Sequence, residues 1–315
     1  MTTAVVFANS NVGARCLAVL LAERIHIPLV VTHRTSPEDA AFENVEAIAR
    51  AHALSVELAE DANAGGFAAR VEALAPDFIF SFYYRQLLPE RVLNAAQRGA
   101  LNMHGSLLPK YRGRVPVNWA VIRGERETGA TLHYMTARSD AGDIVDQQAV
   151  PILADDTAFE VLTKVTVAAE LVLWRSLPAL IRGDAPRHRQ DPALATYFGR
   201  RRPEDGCIDW RDGAAAIHDL VRGVAPPYPG AYTALRGRAL RLLKTRHALE
   251  RKARSAVPSL YVENDACYID CADGGVLRLL DAELDGVAIE PQALPALLGV
   301  QGTLALRSEG EKETL

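Results

Sequence analysis

Leu101–Arg114 reads LNMHGSLLPKYRGR: a short apolar run carries Asn102 and His104 two apart, then breaks into a cationic loop punctuated by Gly105, Pro109 and Gly113. In a strand, residues i and i+2 leave the same face, so Asn102 and His104 project together. Pro109 cannot continue a central strand. The strand ALNMH therefore stops near His104, and Lys110, Arg112 and Arg114 follow in a loop beside it. Outward from this stretch, Ala4–Ala8 (AVVFA), Ile27–Thr32 (IPLVVT), Val56–Leu58 and Asp77–Phe82 (DFIFSF) read as buried strands. Helical patterns separate them, among them GARCLAVLLAERI and Pro37–His52. Strands alternating with helices of this length predict a parallel, doubly wound sheet, with the ligand crevice at the carboxyl ends of the strands.

Two more strand-like runs, GATLHYM and DIVDQQAVPI, precede a long helix from Asp156 to about Arg182. Residues 184–203 are polar and Arg-rich and mark a domain border. Beyond it the pattern changes to one helix, Gly213–Arg222, a turn-rich VAPPYPGAY, and the short runs AYTALRG, ALRLLKTRH, SLYVEND, CYIDCADG and VLRLLDAEL. Short strands at this spacing predict a small barrel. The expected organisation is an α/β chain: a Rossmann-like, mostly parallel catalytic domain over 1–190, a linker over 191–203, an OB-like β-barrel domain over 204–307, and a disordered polar tail over 308–315.

The bulk properties narrow the function class. Of 315 residues, 49% are hydrophobic and 23% charged, and the net charge is −4, so nothing global points to nucleic acid or an anionic membrane. MTTAVVFANS lacks a basic n-region, and no apolar stretch is long enough to span a bilayer, which makes the cytoplasm the expected location. Cys16, Cys207, Cys267 and Cys271 are too scattered for a disulfide framework and read as free thiols. No metal-ligand spacing occurs, so no metal is expected.

An amide beside an imidazole suits acyl transfer. The Asn102 amide can donate to an oxygen that gains charge in a tetrahedral intermediate, and His104 can move protons. Such a His benefits from a carboxylate that sets its tautomer. Asp140, in the loop TARSDAGD after GATLHYM, is the candidate. The plain alternatives stand beside these: a structural Asn-x-His pair, an Asp that merely forms a turn, a solvated cationic loop. His133 reads as a packed or surface strand residue, Asp143 as shaping its loop, and Trp210 and Tyr228 as core packing.

Asn102-x-His104, the loop SLLPKYRG and the segment Asp140-Ala-Gly-Asp143-Ile together resemble the 10-formyltetrahydrofolate-dependent formyltransferase family, over nearly the whole chain. FSFYYRQLLPERVL, NMHGSLLPKYRGR, YFGRRRPEDG and PALLGVQGTLAL resemble the formyltransferase half of the bifunctional enzyme that formylates UDP-4-amino-4-deoxy-L-arabinose in lipid A modification, the route to polymyxin resistance. The resemblance implies that Asn102 stabilises the oxyanion, His104 is the general acid/base and Asp140 orients it. It implies folate contacts from Gln86, Leu87 and Leu88, from Arg114, and from Thr136, Ala137, Arg138, Ser139 and Asp140. The donor would be 10-formyltetrahydrofolate and the acceptor a nucleotide-linked amino sugar. Arg200 and Arg201 would suit its diphosphate, because guanidinium forks match phosphate oxygens.

The decarboxylating dehydrogenase half of that enzyme has no counterpart here, nor has its G-x-G-x-x-G fingerprint, so oxidation is expected from a separate protein. The main rival is methionyl-tRNA formyltransferase. Against it, Thr32–Ala47 (THRTSPEDAAFENVEA) is net acidic, and residues 203–315 carry 13 Lys/Arg against 17 Asp/Glu, where tRNA calls for a basic surface. A non-catalytic folate or sugar-nucleotide regulator and a formyltetrahydrofolate hydrolase are the further alternatives.

Overall fold

The computed structural model describes residues 1–58 and 66–308. The chain divides into two compact units: Met1–Val117 with Glu127–Pro151 and Val161–Gly199, and Asn118–Arg126 with Ile152–Glu160 and the chain from Arg200 onward. The division is thus not one cut at a linker. Residues 191–199, expected as linker, belong to the first unit.

The first unit is built on β1 (Thr3–Ala8), β2 (His26–Thr32), β3 (Val56–Leu58), β4 (Phe78–Phe82) and β5 (Gly99–His104), joined by α1 (Ser10–Ala22), α2 (Val45–Ala51), α3 (Phe67–Leu74) and α4 (Glu90–Leu93). Next along the chain come the short β6 (Arg112–Gly113), α5 (Pro116–Ile122), β7 (Glu127–Tyr134), β8 (Ile144–Pro151), α6 (Ala158–Arg182) and β9 (Tyr197–Phe198), of which α5 from Asn118 on and α6 up to Glu160 count with the second unit. The sheet order is β3-β2-β1-β4-β5-β7-β8. The first five strands are parallel; β7 then pairs antiparallel to β5, and β8 antiparallel to β7. β4 (FIFSF) is buried at every position, as a central strand covered on both faces must be. The strand order reverses between β1 and β4, and α/β sheets open their crevice at that switch point.

The single helix expected over Pro37–His52 is instead a 3-10 turn at Pro37–Asp39 and the separate α2. Two start signals lie in that run, and each caps its own turn. Asp39 accepts from the Ser36 backbone and hydroxyl, and Asn44 Oδ1 accepts from the Ala47 N–H.

The second unit is a curled antiparallel sheet of β10 (Ala231–Leu235), β11 (Arg238–His247), β12 (Ser259–Glu263), β13 (Ala266–Asp270), β14 (Val276–Leu284), β15 (Val287–Ile289) and β16 (Leu304–Ala305), in the order β10-β11-β14-β13-β12-β16 with β15 on β14. It wraps a core of Leu240, Leu242, Leu260, Ile269, Leu277 and Leu279, closed by Ile217 and Val221 of α7 (Ala214–Val224). Trp210 is buried there and donates Nε1–H to Thr233 Oγ1 at 3.0 Å. Cys267 and Cys271 are buried free thiols. Ser308, expected in the disordered tail, accepts from the Trp210 backbone N–H and donates to Asp209; the rest of that expectation, 309–315, lies outside the described residues. Among the described residues no helix is long and apolar enough to cross a membrane.

Candidate active site

β5 sits between parallel β4 and antiparallel β7, so its last residues have a strand on each side. The loop after it is pinned to the sheet. Ser106 Oγ donates to Lys110 O, the Leu108 N–H donates to Thr131 Oγ1, and Gln147 Nε2 donates to Leu108 O. Gly105 is the point of close approach: a Cβ there would stand 1.8 Å from the Tyr83 hydroxyl oxygen. Gly113, at φ 102°, lies so near the Phe198 carbonyl that a Cβ would come within 2.2 Å of it. This closeness lets β6 pair with β9 and turns the Gly113 N–H inward.

That N–H donates to Asp140 Oδ2 at 2.8 Å. The other oxygen, Oδ1, is 3.6 Å from His104 Nδ1 and 3.6 Å from His133 Nε2. Asn102 Nδ2 is 3.2 Å from His133 Nε2. The four side chains therefore form one cluster at the end of β5 and β7. Burial pushes the Asp140 carboxyl up, but the neighbouring His104 and His133 rings and the Gly113 N–H outweigh it and hold the group well below the usual carboxylate range. Asp140 is accordingly a permanent anion near neutrality. His104 is buried, and its Nε2 is 2.8 Å from the Tyr111 carbonyl. A carbonyl only accepts, so Nε2 carries a proton and Nδ1 is the atom turned toward Asp140.

His133 is the residue that the sequence reading passed over. Only the β5–β7 register, which sets Asn102 opposite His133, reveals it. The cationic loop also sorts differently from its sequence. Arg112, not Arg114, is the buried member, and it donates to Gln190 Oε1 and to the Tyr197 hydroxyl. Arg114 and Lys110 are exposed. Gln190 in turn donates to Asp140 O and Gly142 O, which ties the Asp140 loop to Arg112.

Residues of that loop border a cleft of about 600 Å³. Leu93, Ala96, Ala100 and Met135 give it an apolar wall, and Thr136, Arg138 and Gln190 give it polar edges. Its size falls in the roughly 300–1,000 Å³ range of small-molecule sites. Thr136 and Arg138, two of the expected folate contacts, line this cleft. Arg114 and Gln86–Leu88 are not among the described residues lining this cleft; Leu87 is exposed and Leu88 buried. Ala137 is exposed and Ser139 half-buried in the same loop. In the second unit Arg200 is exposed, and Arg201 lies half-buried with its guanidinium 5.8 Å from the Trp119 ring centre. Among the described residues no group of three His, Cys, Asp or Glu is placed to hold a metal.

An amide, an imidazole and an ionised carboxylate thus meet at one strand end of a doubly wound sheet, a set of groups suited to group transfer. Residues 3–177 match the family described as formyl transferase, and residues 201–293 match the formyl transferase C-terminal domain; the chain belongs to the formyl transferase family. Among solved structures, the chain is similar to an N-formyltransferase from Helicobacter canadensis in complex with folinic acid and dTDP-3-aminofucose, at 18% identity and TM-score 0.69, over 89% of this chain and 99% of that one. It is similar to WlaRD, a sugar 3N-formyl transferase in the presence of dTDP and 5-N-formyl-THF, at 17% identity and TM-score 0.69, over 89% and 97%. It is also similar to HypX from Aquifex aeolicus in complex with tetrahydrofolic acid, at 18% identity and TM-score 0.65, over 100% of this chain and 50% of that one.

Proposed function

We propose that the protein transfers the formyl group of 10-formyltetrahydrofolate to the primary amine of a nucleotide-linked amino sugar, with UDP-4-amino-4-deoxy-L-arabinose as the acceptor that the sequence resemblance favours. The observation that carries this reading is Asp140, held ionised 3.6 Å from His104 and in one cluster with Asn102, in a chain of the formyl transferase family. Two similar structures, one with folinic acid and dTDP-3-aminofucose and one with 5-N-formyl-THF and dTDP, support the substrate class.

In this reading the neutral amine attacks the formyl carbon. A C–N bond forms, and charge develops on the formyl oxygen toward the Asn102 amide. The bond from the formyl carbon to N10 of the folate then breaks. His104 takes the proton that the amine loses and returns it to the departing N10, while Asp140 stabilises the ring when it carries two protons. Thr136–Asp140 form one wall for the folate, with Gln86–Leu88 and Arg114 as further contacts. Arg200 and Arg201 are the candidates for the acceptor diphosphate. The reading carries with it a cytoplasmic location and a separate decarboxylating dehydrogenase acting earlier on the sugar.

The test is release of tetrahydrofolate from 10-formyltetrahydrofolate with UDP-4-amino-4-deoxy-L-arabinose, with a dTDP-linked amino sugar, with charged initiator tRNA, or with no acceptor. Turnover with an amino sugar alone is the expected result. Turnover with tRNA alone, or equal release in every tube, would overturn it in favour of tRNA formylation or hydrolysis.

A further inference from the structure

The amide of Asn102 can point either way in its strand, and only one way puts an N–H where an oxyanion forms. What decides its sense lies on the neighbouring strand. The antiparallel register sets Asn102 opposite His133, so the two side chains leave the same face. The β7–β8 register slips between Leu132 and His133, with Leu132 opposite Asp146 and His133 opposite Ile144. Bulges of this kind re-aim a side chain beside an active site.

The tautomer of His133 follows from its partners. Nδ1 is 2.9 Å from the Tyr134 carbonyl, which only accepts, so Nδ1 carries the proton. The neutral ring then presents a lone pair at Nε2, 3.2 Å from Asn102 Nδ2; the Asp140 Oδ1 that also faces this atom stands at 3.6 Å, beyond hydrogen-bond reach, so the single proton stays on the better bond at Nδ1. One N–H of the amide is taken by that lone pair, and the second N–H of the same nitrogen is turned away from His133. The residue is 1% exposed, so water cannot readily stand in for the lost acceptor.

We propose that His133 is a positioning residue for Asn102: its Nε2 lone pair holds one amide N–H, fixes the sense of the amide and aims the other N–H at the carbonyl oxygen under attack. The inference rests on the formyl-transfer reading, in which Asn102 is the oxyanion donor. Without the acceptor the amide can turn its own oxygen toward the developing negative charge, which opposes the reaction.

The experiment is a mutant cycle on the full chain, read as tetrahydrofolate release at saturating donor and acceptor. His133→Ala should lower kcat by about 10- to 100-fold, less than the roughly 10²–10³ expected from deleting an oxyanion donor. KM for the folate should change less than about twofold, since uniform binding is untouched. His133→Gln, which offers an amide oxygen as acceptor, should recover most of the lost kcat. In an Asn102→Ala background, His133→Ala should cost less than about threefold, because the group it positions is gone. An equal loss in both backgrounds would make His133 merely structural and overturn the proposal. So would a His133→Ala kcat within about threefold of an active wild type. Nitrogen-15 spectra of the His133 ring in the wild type need no substrate. A proton on Nδ1 and a lone pair on Nε2 are expected, and a protonated Nε2 would overturn the proposal even if formyl transfer itself were absent. A wild type that releases no tetrahydrofolate with any amine would instead count against the function reading.

Discussion

Replacing Asp140 by Asn keeps the shape of the side chain and removes its charge. Oδ2 accepts from the Gly113 N–H at 2.8 Å, and an Asn oxygen can keep that bond. What goes is the attraction between the carboxylate and a His104 that carries two protons, across 3.6 Å. At an effective dielectric of about 20 that attraction is roughly 4–5 kcal/mol, a factor on the order of 10³ in rate if it acts wholly in the transition state. Asp140→Asn should therefore lower kcat by about 10³ and leave donor binding near wild type, the first measured by tetrahydrofolate release and the second by fluorescence titration. The same charge has a signature in stability. The folded pKa of Asp140 lies below its unfolded value of about 3.9, so its contribution is fully present above that value and is lost as pH falls toward the folded pKa. The stability advantage that the carboxylate gives the wild type over the variant should thus shrink as pH falls below about 4. An Asp140→Asn enzyme within threefold of wild-type kcat would refute the reasoning, because the carboxylate would then not act through His104.

The remaining expectations concern the same strand end. Asn102→Ala should cost roughly 10²–10³ in kcat with little change in folate KM, and combining it with His104→Ala should cost far less than the product of the single losses, as steady-state kinetics will show. Gly105→Ala puts a methyl 1.8 Å from the Tyr83 hydroxyl oxygen and should destabilise the fold by about 1–3 kcal/mol in urea unfolding. Arg112→Ala leaves the buried Gln190 Oε1 without its two guanidinium donors and should cost about 1–3 kcal/mol in the same assay. Because Gln190 also holds Asp140 O and Gly142 O, kcat should fall with it, and Arg112→Lys should not restore the two-pronged contact.

Local pattern carried much of this site. The i, i+2 spacing of Asn102 and His104, the buried run FIFSF and the Pro109 break were enough to set a strand end beside a crevice, because side-chain alternation and proline geometry act within a few residues. The same local rules misjudged Pro37–His52, where two caps compete, and could not sort Arg112 from Arg114, since burial of a loop cation depends on what the distant chain offers it. Here Gln190 and Tyr197 make that offer to Arg112.

Residue pattern was enough for the alternation of strands and helices, the pair of polar side chains on one strand face and the acidic loop as a candidate third member. Tertiary structure alone decided that Asp140 reaches His104, that it reaches His133 equally, and that His133 faces Asn102. The physical reason is register. Which residue stands opposite which across an antiparallel pair is set by the bulge and turns that join the strands and by the packing of both faces, and a slip of one position would turn His133 to the other side of the sheet.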